Sequence, residues 1–158
     1  HGQKPLEDVL GAYREMVSKD PEAGRENREG FSRIKMDQAT PEAMTSLLSK
    51  IYLKEILDEK SCTYIIDVML ECDTGPGRIR GNLPRGTPVA HKTGTIGGTV
   101  NDVGIIFLPD GLGHVALSIF TKDTGEGGTS DVEKVIAEIS RLVYDYFYFT
   151  AGCLESGR

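Results

Sequence analysis

The stretch Val89-Ala90-His91-Lys92-Thr93-Gly94-Thr95-Ile96 decides how this sequence is read. Two apolar residues lead into His91, and the run to Ile96 has the β-branched content of a strand. A Lys-Thr-Gly on a strand sets an ammonium, a hydroxyl and an approachable glycine backbone along one edge. Such an edge suits a substrate carboxylate beside a carbonyl oxygen that gains negative charge during reaction. The tripeptide alone is common, so the flanks decide its meaning. Upstream runs Thr74-Gly75-Pro76-Gly77-Arg78-Ile79-Arg80-Gly81-Asn82-Leu83-Pro84-Arg85-Gly86-Thr87-Pro88, and downstream Asn101-Asp102-Val103-Gly104-Ile105-Ile106-Phe107-Leu108-Pro109-Asp110-Gly111.

Moving outward, Asp102 to Leu108 and His114 to Thr121 read as two further antiparallel strands, with Pro109-Asp110-Gly111 as the hairpin between them. Before the Gly-Pro-rich connection from Asp73 to Pro88, two helices are expected. Thr40-Pro41-Glu42 opens the first as N-cap, first-turn proline and dipole-facing acid, with Met44, Leu47, Leu48 and Ile51 on its inner face. The second runs from about Glu59 to Cys72 and buries Ile65, Ile66, Met69 and Leu70. After the strands, Ser130-Asp131-Val132-Glu133 reads as a capping box. It opens a helix to about Phe147 whose Val132, Val135, Ile136, Ile139, Leu142, Val143 and Tyr146 would pack on the sheet. At the start, Leu6, Val9, Leu10, Tyr13 and Val17 have helical spacing, whereas Lys19 to Gln38 is polar and broken by Pro21, Gly24 and Gly30.

The divisions are thus an N-terminal helix over 1–18, a loop over 19–40, the main unit over 41–150 and a tail over 151–158. The fold class is α/β (α+β), an antiparallel sheet of about three strands packed by helices. With 158 residues and 39% hydrophobic content the chain can build one core. No apolar run reaches the length of a membrane span, and a soluble chain is expected. The first residue is His rather than Met and no export signal is visible, as expected of a processed chain. A net charge of -6 argues against nucleic acid as partner and requires a local basic pocket for any anionic substrate. Cys62, Cys72 and Cys153 lack metal-ligand spacing, so neither a metal, a cofactor nor a disulfide is predicted. Cys62 and Cys72 are expected as buried thiols, and Cys153 as exposed in the tail.

From Ala39 to Phe147 the sequence resembles the C-terminal part of a class A β-lactamase, of the penicillin-recognising serine hydrolase family. The run TGPGRIRGNLPRGTPVAHKTGT followed by NDVGIIFLPDG carries the resemblance. It implies an incomplete β-lactamase/transpeptidase-like fold, a β-lactam or peptidoglycan-like small molecule as substrate, and an extracytoplasmic location. It also implies that Lys92, Thr93, Gly94 and Thr95 form the active-site strand. Thr93 would hydrogen-bond the substrate carboxylate, and the Thr95 N–H would serve the oxyanion hole. Many members hold the carboxylate with an arginine on the next strand. Here that neighbourhood reads Asn101-Asp102-Val103-Gly104, and Arg78 stands where other members supply the guanidinium. The alternative for Arg78 is pairing with Asp73 or Glu71, and Arg80 is read as structural. A solvated edge-strand lysine is the alternative for Lys92.

The loop Asp20–Asn27 resembles the omega loop, whose Glu-x-x-x-Asn activates and positions the deacylating water. Glu22 to Asn27 is one residue too long for that spacing and Glu26 to Asn27 too short. A solvated loop and a hydrolytic loop therefore both stay open. The family nucleophile, a Ser-x-x-Lys before the omega loop, and the Ser-Asp-Asn that follows are absent from their usual places. Ser32-Arg33-Ile34-Lys35 matches formally but falls after the loop and lacks an apolar helix to depress the lysine pKa. His91 and His114 make no triad with a serine, and His114 is expected at the surface.

Three readings follow. The chain is the C-terminal piece of a class A hydrolase and inactive alone, or a non-catalytic remnant acting as a binding or assembly module, or a penicillin-binding transpeptidase relative. Residues 74–111 disfavour the third. The family's N-terminal half pairs two strands with the strand at His114–Thr121, so that edge predicts self-association or pairing with a missing N-terminal half. The sheet's second face needs a cover, from the Leu6–Val17 helix or from a second copy.

Overall fold

Helix α1 (Pro41–Tyr52) starts as its sequence dictates. Thr40 keeps an extended backbone (φ -91°, ψ 153°) while its hydroxyl accepts the Ala43 N–H at 3.1 Å. Helix α2 (Glu59–Leu70) is capped in the same manner by Asp58, whose carboxylate accepts from the Ser61 N–H at 3.0 Å and the Ser61 hydroxyl at 2.6 Å. These contacts hold the Asp58 carboxyl below its ordinary value, led by the Ser61 hydroxyl. The helix ends at Leu70 rather than Cys72, which leaves Cys72 half-buried in the turn beyond it. This computed structural model describes residues 38–96, 98–124 and 129–155, with side chains through 151. The expected Leu6–Val17 helix, the omega-like loop with Glu22, Glu26 and Asn27, Ser32–Lys35 and the Cys153 side chain lie outside the described residues.

Three strands follow, β1 (Val89–Ile96), β2 (Thr99–Phe107) and β3 (His114–Ile119), antiparallel in the order β1-β2-β3. The β1–β2 register runs from Val89 opposite Ile106 to Ile96 opposite Thr99. Strand β2 therefore begins three residues before the expected Asp102, because pairing continues up to the turn at Gly98 (φ +79°). Between β2 and β3, Pro109–Gly111 forms a 3-10 turn with Asp110 (φ 56°) and Gly111 (φ 74°) in the left-handed region. The Leu108 N–H donates to the Gly113 carbonyl at 3.0 Å and closes the hairpin.

Strand alternation creates two cores. On one face Val89, Val100, Ile106, Val115 and Ile119 pack with Ile79 beneath Ile136 and Tyr144 of helix α3 (Thr129–Glu155). On the other, Ala90 and Ile105 pack with Leu48 of α1 and with partly buried Ile66, Met69 and Leu70 of α2. The second face is thus covered by α1 and α2, the role expected of the Leu6–Val17 helix or a second copy. Each fully buried Ile or Val contributes about 1.5–3 kcal/mol relative to exposure. Residues Ala39–Arg158 form one compact unit. Among the described residues β3 is paired on one side only, and no helix is long and apolar enough to cross a membrane.

Several side chains turn differently from their periodicity. Leu47 is 36% exposed while Leu48 is buried, and in α2 only Cys62 is fully enclosed. Helix α3 opens at Thr129, so Ser130-Asp131-Val132-Glu133 is inside the helix rather than a capping box. Asp131 pairs with Lys134 at 2.9 Å and Glu133 with Arg78 at 3.0 Å. Phe147 does not end α3, because Tyr148 to Ala151 contain no breaker; the helix continues to Glu155, into the expected tail. The residues it buries are Ile136, Ala137, Ser140 and Tyr144, whereas Val135, Ile139, Leu142 and Tyr146 face outward. Small Ala137 and Ser140 bring the helix close, and the Ser140 hydroxyl donates to the Ile79 carbonyl at 2.9 Å. His114 is exposed, with a ring nitrogen 2.8 Å from the Tyr52 hydroxyl.

Candidate functional site

Of the expected site residues, Arg78, Lys92, Thr93, Gly94 and Thr95 converge on the outer edge of β1 and the connection before it. The Phe107 N–H donates to the Pro88 carbonyl at 3.1 Å. That bond sets the antiparallel alternation: Lys92 and Gly94 turn their backbone groups toward β2, and Thr93 and Thr95 turn theirs to the open edge. A backbone donor at Thr95 is therefore available to a group outside the sheet. Lys92 is exposed, and its Nζ donates to the Thr93 carbonyl at 2.7 Å.

The Asp73–Pro88 connection returns across this edge. Thr74 Oγ1 lies 2.6 Å from Thr93 Oγ1, with Cys72 Sγ 3.3 Å from the Thr74 hydroxyl. Gly75 takes φ +59°, and a Cβ there would sit 2.7 Å from Thr93 Cγ2. Only glycine permits both the turn and the approach. Arg78 is 5% exposed. Its Nη2 donates to Thr95 Oγ1 at 2.7 Å and its Nη1 to the Asn101 carbonyl at 2.8 Å. The Gly94 carbonyl accepts a longer Nη1 contact at 3.4 Å.

Arg78 does not pair with Asp73 or Glu71. Its acidic partner is Glu133 on α3, through Nε at 3.0 Å. Arg80 donates to the Cys72 carbonyl at 2.8 Å and ties the two ends of the connection together. The edge thus carries Lys92 and Arg78 as a local positive site on an acidic chain, with Glu133 offsetting part of the Arg78 charge. Among the described residues no group of His, Cys, Asp and Glu side chains could hold a metal ion.

One pair escapes the reading of motifs. His91 and Asp102 are both fully buried, with His91 Nδ1 3.0 and 3.1 Å from the two Asp102 oxygens. Strand alternation is the signal that could find them. His91 shares a face with Val89, and Asp102 with Val100, so two polar residues stand on a core-facing stripe and need each other.

The description "Beta-lactamase enzyme family" matches residues 7–147. This chain belongs to the β-lactamase enzyme family. It is 40% identical over 118 residues to the β-lactamase VEB-1 of Pseudomonas aeruginosa, covering 69% of this chain and 38% of that protein. It superposes on the crystal structure of TLA-3 extended-spectrum β-lactamase with TM-score 0.65 and 41% identity, covering 70% of this chain and 42% of that one. A representative class A β-lactamase from Bacteroides cellulosilyticus gives TM-score 0.63 at 29% identity, with coverage of 70% and 42%. The resemblance to class A enzymes and the partial α/β architecture both hold. The chain spans about two-fifths of the length of these β-lactamases.

Proposed function

We propose that this chain supplies the substrate-anchoring part of a β-lactamase-like serine hydrolase that opens β-lactam amides through an acyl-enzyme. In the complete reaction a serine Oγ attacks the lactam carbonyl and the C–N bond breaks, with the ring nitrogen taking a proton. Water then cleaves the ester and frees the serine. The Lys92 ammonium, the Thr93 hydroxyl and the Arg78 guanidinium hold the substrate carboxylate, and Gly94 leaves room for its approach. The outward Thr95 N–H donates to the developing oxyanion, an interaction that strengthens in the transition state. The observation that carries this reading is the Arg78–Thr95 contact at 2.7 Å, which brings the guanidinium onto the Lys92-Thr93-Gly94-Thr95 edge.

The nucleophile and the Ser-Asp-Asn come from an N-terminal half that this chain does not provide, so the chain alone is inactive. That half also lends strands to the free edge of β3; in its absence a second copy takes the place. The work is done outside the cytoplasm. A chromogenic cephalosporin tests the assignment, with the 158-residue chain and Lys92→Ala purified identically. No turnover in either is expected. Turnover that disappears with Lys92→Ala would refute dependence on a missing half and make Ser32 the serine to examine. Sedimentation giving a strict monomer would refute self-association through β3.

A further inference from the structure

The Asp102 side chain bonds more than the histidine. Its two oxygens face His91 Nδ1 on β1, and Oδ2 also accepts the Ile79 N–H at 3.1 Å. Ile79 directly follows Arg78, and His91 directly precedes Lys92. One fully buried carboxylate on β2 therefore ties together the connection that carries the guanidinium and the strand that carries the ammonium. Ile79 is itself fully buried, and its carbonyl accepts the Ser140 hydroxyl, so both its backbone polar groups are engaged.

Arg78, by contrast, holds the edge only through its side chain, and three of its acceptors are backbone carbonyls or a hydroxyl on strand ends. The Arg78 backbone bonds only within the connection, its N–H donating to the Gly75 carbonyl at 3.0 Å and its carbonyl accepting the Gly81 N–H at 2.8 Å. The adjacent tie from the connection to the sheet is therefore the Ile79 N–H on Asp102. The cost of the arrangement is visible in His91 Nε2, which is buried with no hydrogen-bond partner among the described residues. A packed apolar pair would not carry that penalty.

We propose that Asp102 is the positioning residue of the site. Together with His91 it sets the Arg78 connection against the Lys92 strand, so that guanidinium and ammonium present one carboxylate-binding edge. This rests on the anchoring role proposed above and assigns which buried group holds it in register.

The experiment uses the ¹⁵N-labelled full chain and follows the Arg78 Nε–H, the Ile79 amide and the His91 Nδ1–H by NMR hydrogen exchange; Arg78→Lys assigns the first. Asp102→Ala should speed exchange at all three by about tenfold, the loss of a charge-assisted hydrogen bond. Ile106→Val, a small core truncation, should leave the Arg78 Nε–H slow. Arg78 protection unchanged in Asp102→Ala, or lost equally in Ile106→Val, overturns the proposal. If Asp102→Ala does not fold, Asp102→Asn decides, since its oxygen still accepts from Ile79 but no longer as a carboxylate facing His91. It should free the His91 Nδ1–H while keeping the Ile79 amide slow; a His91 Nδ1–H as slow as in the unsubstituted chain, or a freed Ile79 amide, overturns the proposal. A separate titration with benzylpenicillin reads the anchoring role. Unshifted Lys92, Thr93 and Thr95 amides in the unsubstituted chain would refute that role while the exchange result still judges Asp102. Where they shift, Asp102→Ala should weaken binding about tenfold, and undiminished binding overturns the proposal.

Discussion

Replacing Gly104 with alanine asks how tightly β1 and β2 are drawn together beside the Lys-Thr-Gly. Gly104 faces His91 in the register, and a Cβ on it would lie 2.6 Å from the Ala90 carbonyl oxygen and 2.7 Å from His91 Cβ. Ordinary contact begins at 3.4 Å. The nearest atom is backbone, so no rotamer change relieves the overlap; the strands must separate locally. Overpacking of this kind costs about 1–3 kcal/mol. Lengthening a neighbouring ladder hydrogen bond adds roughly 1 kcal/mol. The expected loss is therefore about 3 kcal/mol. Urea unfolding at constant m should show it as a fall in midpoint of about 1–2 M. Gly86→Ala is the comparison: Gly86 has φ +87°, and a Cβ there would meet nothing within 4 Å. Only backbone strain of about 1–2 kcal/mol is expected there. If Gly104→Ala costs no more than Gly86→Ala, the close approach of the strands at His91 is wrong.

The orientation of α3 is checked by a pair of truncations. Ile136→Ala, at a fully buried position, should cost about 2–5 kcal/mol, while Leu142→Ala, at a position 70% exposed, should stay within about 0.5 kcal/mol in the same unfolding assay. The reverse ranking would refute this orientation, whereas periodicity alone places both residues on the packed face. Acid should loosen α2 through its cap. Because the Asp58 carboxyl lies below its ordinary 3.8 when folded, its contribution is present above that value and fades as pH falls through the folded one. Asp58→Asn, which keeps a capping oxygen, should show a flatter melting temperature below about pH 4. Parallel acid profiles for the two proteins would refute the role of Asp58.

Much of the fold is legible in the sequence because the elements around the Lys-Thr-Gly obey local rules. Thr40-Pro41 caps a helix by its own chemistry, and β1 is bounded by prolines and glycines, so Val89–Ile96 is found at its observed ends. Strand β2 reads short because Gly97, Gly98 and Asn101 resemble turn residues, so the expected strand starts at Asp102 and misses Thr99 to Asn101. Asp102 is buried in the strand because His91 and Ile79, far apart in sequence, supply its partners. Helix α3 misleads for another reason. It is apolar on two sides, and periodicity favours the stripe with the larger side chains. The sheet keeps Ile136 of that stripe, with Val132 and Val143 partly buried, and otherwise takes Ala137, Ser140 and Tyr144, because small Ala137 and Ser140 allow the closer approach. Of the site, Lys92, Thr93, Thr95 and Arg78 follow from the resemblance. The pairing of Arg78 with Glu133 does not, since it joins residues separated by 55 positions that only the folded unit brings together.

The strand order carries a kinetic consequence. Each strand pairs with its sequence neighbour, so the sheet is a meander that residues 89–119 can form by short-range closure. Loop-closure entropy there is small, and such contacts assemble early. Long-range closure is needed instead for the contacts between the Arg78-Ile79 connection and α3, Arg78 with Glu133 and Ile79 with Ser140, 55 and 61 positions apart, and for Tyr52 of α1 with His114 of β3, 62 apart. Among the described residues, the sheet can therefore form by local closure before the edge that carries Lys92 and Arg78 is completed.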